Sequence, residues 1–156
     1  MKLLDIDFSK IDYSSKKQLI NTFIINLKYL LNKEYVFLEF QTPKGKIISI
    51  NDKLIIVSIK KKEFIDKILE LEKEYFAKTN KIIKVIDIKS CIINNNELII
   101  KIPSKNIKIF DSNDNFIFSG SLKIGDTIIV NVVNKTLSVN NSILYYYFHA
   151  KEILLI

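Results

Sequence analysis

No arginine occurs anywhere in the 156 residues. All 24 basic side chains are Lys, against 17 acidic ones, for a formal charge of +7. A guanidinium is a planar two-pronged fork, whereas an ammonium is a mobile point charge. The chain is therefore suited to following a phosphate backbone and poorly suited to gripping guanine with a bidentate fork. Tryptophan is also missing, and there is one Cys, one His, three Gly and two Pro. A single cysteine, Cys91, excludes an intramolecular disulfide and offers no zinc cluster. Between Ser90 and Ile92-Ile93 it reads as a buried, inert thiol. Gly45, Gly120 and Gly125 are too scattered for a phosphate-binding glycine loop. His149 has no Cys or carboxylate cluster beside it and reads as structural or surface-exposed rather than catalytic. No apolar run approaches the roughly 18 residues of a membrane helix. The start, Met1 to Asp5, has no signal-peptide apolar region. These absences predict a cytoplasmic protein that is not an enzyme, with no metal, no cofactor and no membrane partner.

Apolar residues make up 48% of the chain, enough for a core without staples at this length. With Gly scarce, the turns fall to Asn, which tolerates left-handed backbone better than other side chains. Residues 1–81 hold 16 Lys and 11 acids, and residues 82–156 hold 8 and 6, so the positive excess lies in the first half.

Periodicity predicts a helix from Ser14 or Ser15 to about Lys33, with Leu19, Phe23, Leu27, Leu30 and Leu31 on one face. A β-meander follows over 35–40, 46–50 and 54–59, with Thr42-Pro43-Lys44-Gly45 and Asn51-Asp52-Lys53 as turns. Phe64, Ile68, Leu71 and Tyr75 mark a second helix over 62–78. Glu70, Glu72 and Glu74 on it read as a solvated face. Beyond residue 81 the pattern is strand and turn: 82–93, 97–102, 106–110, 116–119, 127–133, 135–139, 143–149 and 153–156. Asp111 to Asn115 and Asn140-Asn141 read as hairpin turns.

These elements predict an α+β protein: an OB-like β-barrel or strongly curved antiparallel sheet with two packing helices. Two barrels fit. One uses the strands of 35–102. The other, preferred here, is a β-rich OB-like region over 82–156, with a helix–meander–helix elaboration over 1–81 packed onto it as one unit.

Tyr145 and Tyr147 share one strand face, and Leu144, Tyr146 and Phe148 share the other. One face must be core, and the other presents rings outward. Exposed rings next to Lys are what single-stranded nucleic acid uses, bases stacking while ammonium groups track phosphates. Further residues carry a resemblance: Ile100-Lys101-Ile102-Pro103, Ile109-Phe110-Asp111 with Asn113-Asp114-Asn115, Leu122-Lys123-Ile124-Gly125-Asp126, and Phe148 to Ile153. With these, Leu98 to Ile156 resembles the C-terminal region of single-stranded-DNA-binding proteins of large cytoplasmic DNA viruses and AT-rich linear plasmids. That family places Trp in its last strands; here Tyr145 to Phe148 stand in that region. The resemblance implies an OB-fold protein that coats single-stranded DNA, or RNA, without sequence preference during replication. Tyr145 and Tyr147, with Phe116 or Phe118, are the expected stacking rings, and Lys101 and Lys108 the expected phosphate contacts. Homo-oligomeric or cooperative assembly through an exposed strand edge is expected. The alternative is a non-enzymatic scaffold subunit of a replication or transcription complex. Lysines and rings on one concave face favour the first reading; a flat apolar patch apart from the lysines favours the second.

Overall fold

The structure, a computed structural model, describes residues 1–103 and 107–156. In chain order β1 (Ile11–Gln18), β2 (Phe23–Leu31), β3 (Glu34–Val36), β4 (Leu38–Gln41), β5 (Gly45–Ile50) and β6 (Leu54–Ser58) precede α1 (Lys62–Asn80). After it come β7 (Asp87–Lys89), β8 (Ile92–Ile93), β9 (Glu97–Lys101), β10 (Lys108–Phe110) and β11 (Thr127–Asn134). The chain finishes with β12 (Thr136–Asn140), β13 (Ile143–Tyr146) and β14 (Phe148–Leu155).

Five of these strands close a barrel. β5 pairs β6, β6 pairs β9, and β14 pairs β11, which returns to β5, all antiparallel. A parallel pairing of β9 with β14 completes the ring. This is an OB-like barrel: five strands, the third and fifth parallel, the ring leaving no free edge. β4 continues the first barrel strand and pairs the other half of β11. Alternate residues point inward; Ile47, Ile55, Leu98, Ile100, Ile128, Val130, Val132 and Phe148 are fully buried. Gly45, read from sequence as a turn glycine, sits where β5 crosses β6. A Cβ there would lie 2.3 Å from Val57 Cγ1, so only hydrogen fits.

A second sheet, in the order β1-β2-β12-β13-β7 with β3 on β2, is built on the same chain as the barrel. β12 and β13 prolong β11 and β14 past bends at Lys135 and Tyr147, so one long hairpin belongs to both sheets. α1 covers the junction with Phe64, Ile65, Ile68, Leu71 and Tyr75 buried. Rings chain from barrel to second sheet: Phe64–Phe40 at 6.1 Å, Phe40–Phe148 at 5.3 Å, Phe148–Tyr146 at 5.2 Å and Tyr146–Tyr75 at 5.4 Å. Each pair is tilted or edge-to-face, the arrangement that ring quadrupoles favour.

The helix expected over 15–33 is two strands instead. Ile25, Leu27 and Tyr29 are buried at a spacing of two, while Ile24, Asn26 and Lys28 face outward. The same apolar residues satisfy both periods. What decides is the partner: β2 lies between β1 and β12, so its backbone groups bond across strands. Asn21-Thr22 and the Ile-rich stretch that follows are poor helix formers, so little propensity opposes this. The fold thus has one α-helix among the described residues, and the 62–78 helix is the one present. The barrel also draws on both sides of residue 81: β5 and β6 come before it, β9, β11 and β14 after it. A split into elaboration (1–81) and barrel (82–156) therefore does not follow the strands. Residues 82–93 form only the short β7 and β8, and 116–119 contribute one bridge, Phe110 to Phe116. Asn106, the expected start of a strand, lies outside the described residues. The Asp111–Asn115 turn forms as expected. The Asn140-Asn141 turn moves one residue on, with positive φ at Asn141 and Ser142.

Candidate nucleic-acid interface

One transverse row crosses five strands on the barrel's outer face. Leu54 on β6 registers with Lys101 on β9, Lys101 with His149 on β14, His149 with Val133 on β11, and Val133 with Glu39 on β4. Their neighbours Ile55, Ile100, Phe148, Val132 and Phe40 point into the core, so alternation turns this row outward. Over its β14–β11–β4 part lies a groove of about 670 Å³, lined by Phe37, Glu39, Val133, Lys135, His149 and Lys151 among others. A second depression of about 510 Å³ shares Phe37 and Glu39 and adds Lys28, Tyr35 and Asn131.

Lysines sit over aromatic rings on this face. Lys101 Nζ is 3.5 Å from the ring centre of Tyr147. Phe37 carries two ammonium groups, Lys28 at 3.8 Å and Lys135 at 4.7 Å. The fold explains both contacts. Tyr147 occupies the bend between β13 and β14, where β9 ends on Lys101. Phe37 occupies the break between β3 and β4, between β2, which bears Lys28, and the bend at Lys135. Each ring holds a cation at its face while the other donors of that ammonium stay free for an anion.

Glu39 is an acid among these lysines. Lys151 Nζ donates to both of its oxygens, at 3.0 and 3.2 Å, and Asn131 Nδ2 donates to Oε1 at 3.1 Å. His149 is half-buried; burial lowers its pKa from the ordinary 6.5, and the positive charges of Lys101 and Lys135 lower it further.

Of the six residues expected from sequence, the structure brings Lys101 and Tyr147 together. Tyr145 is half-buried on the outer face of the second sheet, opposite Ser138. Lys108 lies on β10 opposite Glu152, three residues along β14 from His149, about 10 Å at strand spacing. Phe116 packs edge-to-face on Phe110 at 5.0 Å, and Phe118 is 87% exposed. Phe110 registers with Leu154, five residues from His149, which puts this ring pair about 16 Å from the groove centre. Sequence reading did not select Lys28, Phe37, Glu39, Lys135 or Lys151, and it gave His149 no role in a site. Outward Phe37 and Glu39 alternating with inward Leu38 and Phe40 was legible. The lysines that flank Phe37 come from far along the chain, and nothing local announces them.

A polar cluster lies inside the protein, away from this face. Glu72 is buried, not solvated as its helical position suggested. It accepts hydrogen bonds from Tyr146 Oη, Ser90 Oγ at 2.6 Å and Cys91 N at 3.2 Å. Tyr75 Oη donates to Asn134 Oδ1 at 2.6 Å. Cys91 is buried as expected, its thiol pushed up to about 12 chiefly by desolvation. These groups join α1 to the central hairpin.

No protein-family model matches the sequence, and no curated protein matches it. Among the described residues no helix is long and apolar enough to cross a membrane, and no three His, Cys, Asp or Glu gather as metal ligands.

Proposed function

We propose that the protein is a non-enzymatic binder of single-stranded nucleic acid, with single-stranded DNA as its ligand. The observation that carries this reading is a groove holding two lysine contacts on Phe37, with a third lysine–ring contact, Lys101 on Tyr147, next to it through His149. Phe37 and Tyr147 act as stacking platforms once a base displaces the ammonium over the ring, and Lys28, Lys101 and Lys135 follow the phosphates. The position fits the fold in part: the groove itself lies over β4, β11 and β14, and it adjoins the usual OB surface at Lys101 and at the 4–5 connection. OB barrels bind oligonucleotides on their second and third strands and through the loops joining strands 1–2 and 4–5. Here those strands are β6 and β9, the 1–2 loop carries Lys53, and the 4–5 connection begins at Lys135 and returns at Tyr147. Binding through backbone and stacking is sequence-tolerant, as a replication coat resembling those of cytoplasmic DNA viruses and linear plasmids requires. For homo-oligomeric or cooperative assembly the sheet offers β1 as an edge, although Lys16 and Lys17 on it oppose strand addition.

Fluorescence anisotropy with a labelled oligo-dT at two salt concentrations, against a duplex of equal length, tests the reading. Tight single-strand binding that weakens with salt and exceeds duplex binding supports it; no binding at low salt rejects it. Phe116 and Phe118, 66% and 87% exposed, with Ile124 at 69%, favour a second reading as a scaffold subunit. Phe116, packed on Phe110 about 16 Å from the groove, and the exposed Phe118 are rings that a protein partner would bury.

A further inference from the structure

Glu39 is the feature of the groove that phosphate tracking does not require. An acid there repels the backbone, and it occupies Lys151, which a phosphate would otherwise use. Its neighbours are specific. Phe37, two residues before it, lines the same two depressions, so ring and carboxylate face one space. Asn131 holds Oε1 from the adjacent strand.

We propose that Phe37, Glu39 and Lys151 form a pocket for a guanine base. The inference rests on the groove being a nucleic-acid site, and it adds a base preference to it. Guanine is the base that carries two adjacent N–H donors, N1–H and the N2 amino group, next to an O6 acceptor. A carboxylate presents two oxygens to such a pair, with about four acceptor positions in all. Asn131 takes one position and Lys151 spans both oxygens. Lys151 is more than half exposed, so its ammonium is free to move. When a base displaces Lys28 or Lys135 from the face of Phe37 and stacks there, Lys151 shifts from Glu39 to O6, and the released positions accept N1–H and N2–H. Thymine does the reverse: carbonyl oxygens flank its single N3–H and meet the carboxylate with their negative ends. Cytosine and adenine offer one amino group each. Guanine is therefore held best and thymine worst, on top of a sequence-tolerant affinity. The Arg fork reads guanine from O6 and N7; this pocket reads the opposite donors, which a chain without Arg can still do.

The test uses the full chain and anisotropy with three 15-mers: all dT, dT with dG at every third position, and the same with inosine for guanine. Isolated guanines avoid quadruplexes. The dG strand binds about tenfold more tightly than dT. Inosine lacks the N2 amino group and loses most of that gain. Glu39→Gln abolishes the difference between dG and dT strands while dT binding is retained or strengthened. Competition with GMP separates sources: displacement at micromolar GMP assigns the pocket to free guanine nucleotides, and displacement only at millimolar GMP assigns it to guanine in a strand. Equal affinity for the dT and dG strands overturns the pocket and leaves the groove reading standing. Failure of all three strands to bind at low salt overturns both.

Discussion

At the residue scale, Phe37 and Tyr147 stand in contrast to Phe40 and Phe148. The first two lie on the outer face against ammonium groups, and the last two stack within the core. Base stacking contributes about 1–3 kcal/mol per ring. Phe37→Ala and Tyr147→Ala are therefore each expected to weaken oligo-dT binding about 5- to 100-fold in anisotropy titrations, with thermal melting nearly unchanged. A fall in melting temperature that parallels the lost affinity would reassign these rings to structure. Cys91 gives a second prediction. Burial and a thiol pushed up to about 12 leave almost no thiolate at neutral pH. Native protein is expected to resist a disulfide reagent over hours and to react within minutes in denaturant. Prompt labelling of the native protein would mean that α1 opens readily. Glu72 holds three donors in the same region. Glu72→Ala leaves them unpaired inside and is expected to cost about 2–4 kcal/mol in urea unfolding.

At the element scale, the hairpin between β2 and β3 turns on Asn32 and Lys33, both at positive φ, 50° and 69°. That is a type I′ geometry, for which Asn-Gly is the preferred pair. Lys33→Gly removes left-handed strain and is expected to stabilise the protein by about 0.5–1 kcal/mol, read as a higher urea midpoint. The residues of β2 explain why the sequence was ambiguous over 15–33. Phe23, Leu27 and Leu30 fit a helical stripe, yet Ile25, Leu27 and Tyr29 fit a strand, and only the pairing with β12, over a hundred residues away, separates them. Gly45 is the converse case, a residue legible as a glycine but not for its reason. Its role is the β5–β6 crossing, so Gly45→Ala is expected to destabilise by about 1–3 kcal/mol through overpacking.

At the scale of the whole molecule, the charged face has consequences for salt and pH. If Lys28, Lys101 and Lys135 each neutralise one phosphate, log Kobs falls against log salt with a slope of about −2 for a single strand. His149 adds a pH dependence with two opposite signs. Its folded pKa lies below the ordinary 6.5, so the folded state binds fewer protons than the unfolded chain between those values. Stability of the free protein is therefore expected to fall as pH drops from about 6.5 toward the folded pKa. Phosphate beside the imidazolium favours its charged form, so binding is expected to tighten over the same window. Unfolding and anisotropy at pH 7.5 and 5.5 measure both, and His149→Gln removes both.

The sequence alone determined whatever depends on composition or on one element's own period. The 62–78 helix follows from a stripe that only a helix satisfies, and the buried thiol from its apolar neighbours. The split between Tyr145/Tyr147 and Leu144/Tyr146/Phe148 follows from strand alternation, which is local. The barrel-type architecture was legible because many short strands with few helices have few ways to bury their faces. Tertiary structure decided which strands close the ring, because pairing partners are chosen by register over long separations, as between β9 and β14. It also decided the groove. Phe37 acquires its lysines from β2 and from the β11–β12 bend, and Glu39 meets Lys151 across 112 positions. Proximity of that kind is created by strand register, and no local pattern in the chain encodes it.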